Sequence, residues 1–328
     1  MGRGDRRPGE APGFDPWRHR FALFLVVATV ALLAAGGLVT STGSGLAVPD
    51  WPLSFGQLFP PMVGGVLFEH GHRLVAAVVG LLTFVGLVWH ARREPRHWVR
   101  RLAFAAFAAV LLQGLLGGLT VLLRLPAAVS VAHTCLAQAF FCLVVALSLV
   151  TSRGYLARPP GPIEEGGWPS LPLLAGAATV LVYLQLVLGA VMRHSGAGLA
   201  IPDVPLAFGR LVPPFLSFEI GVHFAHRIGA ILVAALVVYL LARTTRHPDR
   251  PDLGGPAWLA LALVALQIGL GATSVLTRLS VLPTTAHLVF GALLLATLLA
   301  LTLRAARGPV TSPTGGVTPL PQPHGSPA

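Results

Sequence analysis

The chain has 328 residues, 54% of them hydrophobic and only 11% charged, with a formal net charge of +11 at pH 7. Apolar runs of about twenty residues recur along it, which excludes an ordinary soluble domain and points to a polytopic membrane protein. The arginines are not gathered into one face with interleaved aromatics, so no nucleic-acid partner is expected.

In chain order, residues 1–20 carry Arg3, Arg6, Arg7, Arg18 and Arg20 and read as a disordered cytoplasmic N-terminus. Apolar spans follow near 21–42, 67–90, 100–122 and 127–150. After a linker at 153–170, four more lie near 171–192, 218–242, 257–277 and 282–304, and residues 306–328, rich in Pro, Gly, Thr and Ser, read as a disordered tail. The spans must be helices, because backbone amides in lipid are satisfied only within a helix or a closed barrel, and no barrel-like alternation is visible. The first is too long for a cleaved signal peptide and reads as retained. Arg92, Arg93, Arg96, Arg100 and Arg101 lie between spans two and three, and Arg243, Arg246 and Arg250 follow span six. The alternate loops are poor in arginine, so the positive-inside rule puts both termini and the linker in the cytoplasm, for a multi-pass protein of the cell (plasma) membrane surrounded by lipid. Cys135 and Cys142, the only cysteines, lie seven apart on one apolar helix and read as packing residues.

The chain also repeats itself. TGSGLAVPDWPLSFGQLFPP, ending at Pro61, corresponds to SGAGLAIPDVPLAFGRLVPP, ending at Pro214. LLQGLLGGLTVLLRL, ending at Leu125, corresponds to ALQIGLGATSVLTRL, ending at Leu279. Each unit holds four helices, an even number, so both enter the membrane in the same orientation, unlike the inverted repeats of many transporters. The expected fold class is all-α: eight transmembrane helices as two tandem four-helix bundles, 21–152 and 171–305, in a parallel pseudo-twofold repeat.

Four histidines share that repeat. His72 and His133 lie 61 residues apart, as do His226 and His287. An imidazole in an apolar run is costly without a partner. One alone reads as a hydrogen-bonded structural residue. Four at matched spacing, each about five to eight residues into its helix and so about 7–12 Å deep, read as two pairs of axial ligands for haem iron. Gln113 and Gln267 have glycine-rich neighbours, GLLGG and GLGA, which leave room for a flat macrocycle. Copper or iron would also accept neutral imidazole, but no carboxylate or thiolate cluster accompanies these four.

Arg73 and Arg227 directly follow His72 and His226, while Arg124 and Arg278 precede the fourth and eighth helices. Each is open to two readings: snorkelling or loop contacts, or pairing with a haem propionate. Asp50 and Asp203, each in a Pro-Asp turn, read as loop-structuring residues. The halves differ most at Glu69, three residues before His72 and on the same helix face, where the second half has His223 before His226. Either Glu69 is an exposed interfacial acid, or the first half does chemistry on its porphyrin while the second merely holds one.

These residues resemble the haem A synthase family, membrane enzymes that prepare haem A for terminal oxidases. The carrying features are Glu69, His72 and Arg73 in E-x-x-H-R, His223, His226 and Arg227 in H-x-x-H-R, the GSGL and GAGL loops with PDWP and PDVP, and the late histidines His133 and His287, over roughly residues 20–305. The resemblance implies oxidation of the C8 methyl of haem O to a formyl group by successive hydroxylations. It implies a resident haem b at His226 and His287 with Arg227 beside it, and substrate haem at His72 and His133 with Arg73 beside it, all four histidines serving haem iron. Glu69 would be the catalytic carboxylate. Implied partners are haem O, an electron acceptor of open identity, and a haem O synthase as candidate donor of the substrate. Many relatives carry a cysteine pair in the outer loops, where this chain has Val48 and Ser54, and Ile201 and Ala207. On helix and histidine pattern alone a bis-haem b-type electron-transfer protein fits equally well; Glu69 against His223 favours the enzyme.

Overall fold

The computed structural model describes residues 13–159, 161 and 168–308. Four long helices, Pro16–Ser41 (α1), Gly65–Arg93 (α2), His97–Leu122 (α3) and Ala127–Val150 (α4), are followed by a single helical turn, Arg153–Leu156 (α5). Four more long helices complete the chain: Leu171–His194 (α6), Phe218–Thr244 (α7), Pro251–Leu276 (α8) and Val281–Ala305 (α9). The eight long helices are each long and apolar enough to cross a membrane. Among the described residues there is no strand, only two isolated bridge pairs in loops. The protein is an all-α, multi-pass membrane protein.

Two helix starts differ from the sequence reading. α1 begins at Pro16 rather than near 21, because the Asp15 carboxylate accepts from the amides of Trp17 and Arg18 and proline suits the first helical position. Residues 16–20 are therefore helical, not disordered, and residues 1–12 lie outside the described ones. α8 begins at Pro251 rather than near 257. Gly-Gly-Pro at 254–256 looks like a break, yet Pro256 stays helical: lacking an N–H, it frees the Asp252 carbonyl, and Arg304 Nη1 donates to that oxygen at 3.0 Å. At the expected tail, Arg307 and Gly308 bond back to the carbonyls of Tyr155 and Pro159, and residues 309–328 lie outside the described ones.

In the first half α1 and α3 each pack on both α2 and α4; in the second, α6 and α8 each pack on both α7 and α9. Thus α2 and α4, like α7 and α9, stand on the diagonal of a four-helix ring. The halves meet through α1 on α9, α4 on α6, and α4 on α9. Val79, Val99, Ala106 and Phe140 fill the first ring; Ala175, Leu240, Leu295 and Leu298 fill the second; Leu33, Phe141, Val145 and Ala292 fill the seam. Lipid is as apolar as leucine, so close packing holds these cores rather than escape from water.

Charges are buried in pairs at the end of the bundle away from the two long loops. Arg18 Nη1 lies 3.0 Å from Glu94 Oε2 and Arg96 Nε 2.6 Å from Glu94 Oε1, which ties α1 to the α2–α3 connection. Asp252 takes Arg250 at 3.0 Å and Arg158 at 2.9 Å, which ties the linker to α8. The opposite end holds the loops and the histidines.

Candidate functional site

Both long loops are built alike. Asp50 accepts from the amides of Phe55 and Gly56 at 2.7 and 2.8 Å, and Asp203 accepts from Phe208 and Gly209 at 2.8 Å each. Phe55 and Phe208 sit in the left-handed region, at φ 54° and 55°, a costly conformation for a residue with a Cβ, and the carboxylates hold it in place. The same bonds, led by Gly56 and then Phe55, hold the Asp50 carboxyl below its ordinary value, and Gly209 and Phe208 do so for Asp203. Both acids structure loops, as expected. At the α3–α4 and α8–α9 turns, Arg124, Leu125, Arg278 and Leu279 are also left-handed. There Leu125 and Leu279 fold back onto Gly45 and Gly198 of the long loops, while Arg124 and Arg278 are exposed.

Each of the four histidines turns its Cε1 corner toward a glycine of the preceding helix. A Cβ on Gly36 of α1 would stand 3.1 Å from His72 Cε1, and one on Gly117 of α3 would stand 3.1 Å from His133 Cε1. On Gly189 of α6 it would stand 3.1 Å from His226 Cε1, and on Gly271 of α8, 3.3 Å from His287 Cε1. Glycine lets each ring approach helix backbone where any side chain would push it away. All four rings stand six to eight residues beyond the first residue of their helices, so they are level.

Because the histidines ride on diagonal helices, the members of a pair approach across the ring. The ring centroids of His226 and His287 are 6.4 Å apart with planes at 69°. Two imidazoles on opposite sides of one metal, each bonded at about 2.0–2.1 Å, would have ring centres about 6 Å apart. The separation of the second-half pair matches that spacing, so these two residues could hold one iron between them. Gln185 Nε2 donates to the His226 carbonyl at 2.7 Å and lies 3.1 Å from its Nδ1; Gly229 makes the room for this side chain. In the first half Gln113 Nε2 donates to the His133 carbonyl at 2.9 Å and lies 3.2 Å from its Nε2. Both glutamines hold the helix backbone at a histidine, and a ring nitrogen that accepts from their amide leaves the ring proton on the other nitrogen. Nδ1 of His72, His133 and His287 is buried short of a well-formed hydrogen bond, and the backbone groups that approach these rings are those of Leu32, Gln113 and Gln267, one turn before each backing glycine.

Around His72 the loop is latched by charge. Glu69 is 3% exposed, accepts the Val48 amide on Oε2 at 2.8 Å and accepts Arg73 Nη2 on Oε1 at 2.7 Å. Arg73 also donates to the carbonyls of Asp50 and Leu53 at 2.8 Å each. The reading of Glu69 as an exposed acid is thus corrected: the fold of the loop over α2 buries it. In the second half His223 stands in its place, with Nδ1 3.3 Å from the Ile201 amide and 3.2 Å from the Ala197 carbonyl, either of which it can serve one at a time. Arg227 donates to the carbonyls of Leu206 and Ile201 at 2.8 and 3.0 Å. Arg73 and Arg227 both make loop contacts, one of the two readings open to them.

One further difference between the halves escaped the sequence reading. Ser54 Oγ lies 2.8 Å from His70 Nδ1, and both residues are buried. Their counterparts, Ala207 and Phe224, instead join Ile201 and Ile220 in an apolar cluster. The signal was available, since both partners change together between the repeats.

Fold and site together define an integral membrane helical protein with paired, glycine-backed histidines near one face. Residues 64–299 match the family model described as Cytochrome oxidase assembly protein, COX15-CtaA. Proteins named Heme A synthase are similar over most of the chain. That of Symbiobacterium thermophilum is 37% identical over 273 residues, covering 81% of this chain and 89% of its own. That of Halalkalibacterium halodurans is 30% identical over 285 residues (85% and 93%), and that of Geobacillus kaustophilus 31% over 299 residues (88% and 93%). The chain belongs to this family, the haem A synthases of the COX15-CtaA type.

Proposed function

We propose that this protein is a haem A synthase, which oxidises the C8 methyl of haem O to a formyl group by successive hydroxylations. Family membership supports the reaction. The observation that carries the division of labour is the polar asymmetry between otherwise matched sites: Glu69, His70 and Ser54 in the first half against His223, Phe224 and Ala207 in the second.

In this reading the first half, 21–152, takes substrate haem O between His72 and His133, and the second, 171–305, keeps haem b between His226 and His287. The 6.4 Å ring separation supports the second assignment. Haem b bound there would supply one-electron transfer toward an acceptor. Gly189 and Gly271 set the depth of its ligand rings, and Gln185 ties α6 to the backbone of α7 at His226. Glu69 brings a buried carboxylate to within one turn of His72, where negative charge favours positive charge developing at the reacting methyl carbon, or accepts a proton from it on a carboxylate oxygen. Arg73 keeps that carboxylate in place through a 2.7 Å ion pair.

Both termini lie in the cytoplasm and the protein sits in the cell membrane, with both haem sites toward the outer face; the arginines of the α2–α3 connection and the end of α7 support this. The test is co-expression with a source of haem O and chromatography of the extracted haems. Haem A should appear only with the intact chain, whereas a bis-haem electron carrier would leave haem O unchanged.

A further inference from the structure

Haem is a dianion at one edge, and a cation is expected wherever its carboxylates rest in a low-dielectric setting. The arginines next to the ligand histidines are already engaged by their own loops. Arg73 is bonded to Glu69 and three loop carbonyls, Arg227 to two loop carbonyls, and Arg124 and Arg278 are exposed at helix turns. Arg193 differs from all four. It lies in the last turn of α6, four residues after Gly189 and so on the same helix face as the backrest of His226. Its Nη2 makes one long bond, 3.4 Å, to Ser41 Oγ of α1, and its Nη1 is buried with no partner. Among the described residues no carboxylate pairs with it, and the acids at this end are already bonded: Glu69 to Val48 and Arg73, Glu219 to Ser217, Asp50 and Asp203 to their own loops.

Two more contacts fix where this guanidinium sits. Ser41 Oγ also accepts from Thr285 Oγ1 at 3.1 Å, and Thr285 stands two residues before His287. Arg193 therefore lies at the seam between the halves, reaching from α6 to α1 beside the start of α9. A helix C-terminus favours a cation by itself, but that leaves the buried Nη1 without an acceptor and Nη2 with one long bond, and a carboxylate is the group that matches such a fork in charge and geometry.

We propose that Arg193 binds a carboxylate of the haem held between His226 and His287. The inference rests on the reading of that pair as a haem site, and it makes Arg193 a positioning residue for haem. Its test uses the full chain in detergent, in a His72→Ala, His133→Ala background so that only one pair can ligate. Dissociation of protohaem and of its dimethyl ester into excess apomyoglobin is followed through the low-spin spectrum. Arg193→Gln should keep that spectrum yet release protohaem about ten- to a hundredfold faster, the loss expected for hydrogen bonds to a charged group; Arg193→Lys should lie between. The ester, with no anion to offer, should leave the parent and Arg193→Gln at the same rate. In the parent itself the ester should leave faster than protohaem, an arm that needs no substitution at Arg193. Equal protohaem rates in parent and variant, or the same acceleration for the ester, would overturn the role of Arg193 and leave the haem site standing. A parent with no low-spin haem would overturn both.

Discussion

Glu69 and Arg73, one helical turn apart on α2, form a buried ion pair at 2.7 Å that locks the first long loop over His72. The carboxylate proposed for chemistry is therefore also a structural latch, and the second half shows what a latch alone requires: His223 meets the equivalent loop amide without any carboxylate. This separates the two roles experimentally. Glu69→Gln keeps an acceptor for the Val48 amide but removes the charge; Glu69→His copies the second half. Both should retain the resident haem and lose haem A formation by about 10²–10⁴-fold, the usual worth of a catalytic acid or base. Chromatography of extracted haems measures it. Normal product from Glu69→His would reduce Glu69 to a latch.

The glycine backrests predict a subtler defect. Gly189→Ala and Gly271→Ala place a methyl group 3.1 and 3.3 Å from the Cε1 atoms of His226 and His287, closer than side chains normally pack. Each ring must tilt or shift, and paired ligation of one iron tolerates little of either. Haem content and the low-spin spectrum should fall in both variants without loss of the fold. Gly269→Ala is the matched control, because a Cβ there meets nothing within 4 Å. Equal haem content in all three would show that the glycines do not set the ring positions.

Much of this architecture was legible beforehand, and the reasons are physical. A bilayer forces long apolar helices, so hydropathy alone gives eight of them. The repeat then exposes His72, His133, His226 and His287, because a polar residue survives duplication in an apolar helix only where something uses it. Gly36 and Gly189 obey the same repeat but carry no distinct signal in the sequence, since glycine in a membrane helix has many packing uses. Gln185 has no equivalent in the first half, where Leu32 occupies the matching stretch, so no repeat signal could mark it. The start of α8 was misplaced because the rescue of Pro256 comes from Arg304, more than forty residues away. Local pattern does not carry contacts of that kind.

Glu94 predicts a pH-dependent contribution to stability. Burial pushes its carboxyl upward, but hydrogen bonds from Arg96 and the charges of Arg96 and Arg18 outweigh it and hold the group below its ordinary value of 4.5. A carboxyl held low stabilises the folded state above its unfolded pKa and loses that contribution as pH falls through the folded value. Glu94→Gln should lower stability at neutral pH by up to about 3–5 kcal/mol, since Arg18, 2% exposed, is left buried and uncompensated. Thermal unfolding in detergent at several pH values should show the gap to wild type narrowing below about pH 4.5. A gap independent of pH would mean that the charge of Glu94 is not what stabilises this end.

The last prediction concerns orientation, on which the placement of both haem sites depends. Ser54 lies in an arginine-poor loop and would be a natural labelling position, but it is fully buried against His70 and would not react. Gln57, three residues on, is exposed in the same loop, and Arg93, at the end of α2, is exposed among the basic residues on the other side. In a background lacking Cys135 and Cys142, Gln57→Cys should react with a membrane-impermeant maleimide in intact cells, while Arg93→Cys should react only after lysis. The expected asymmetry follows from the cost of moving clustered arginines across the membrane during insertion, which would keep Arg92, Arg93, Arg96, Arg100 and Arg101 inside. Because all four histidines stand near the start of helices that follow the Gln57 side, this labelling puts both haem sites in the outer half of the bilayer. The reverse pattern would place them at the cytoplasmic face.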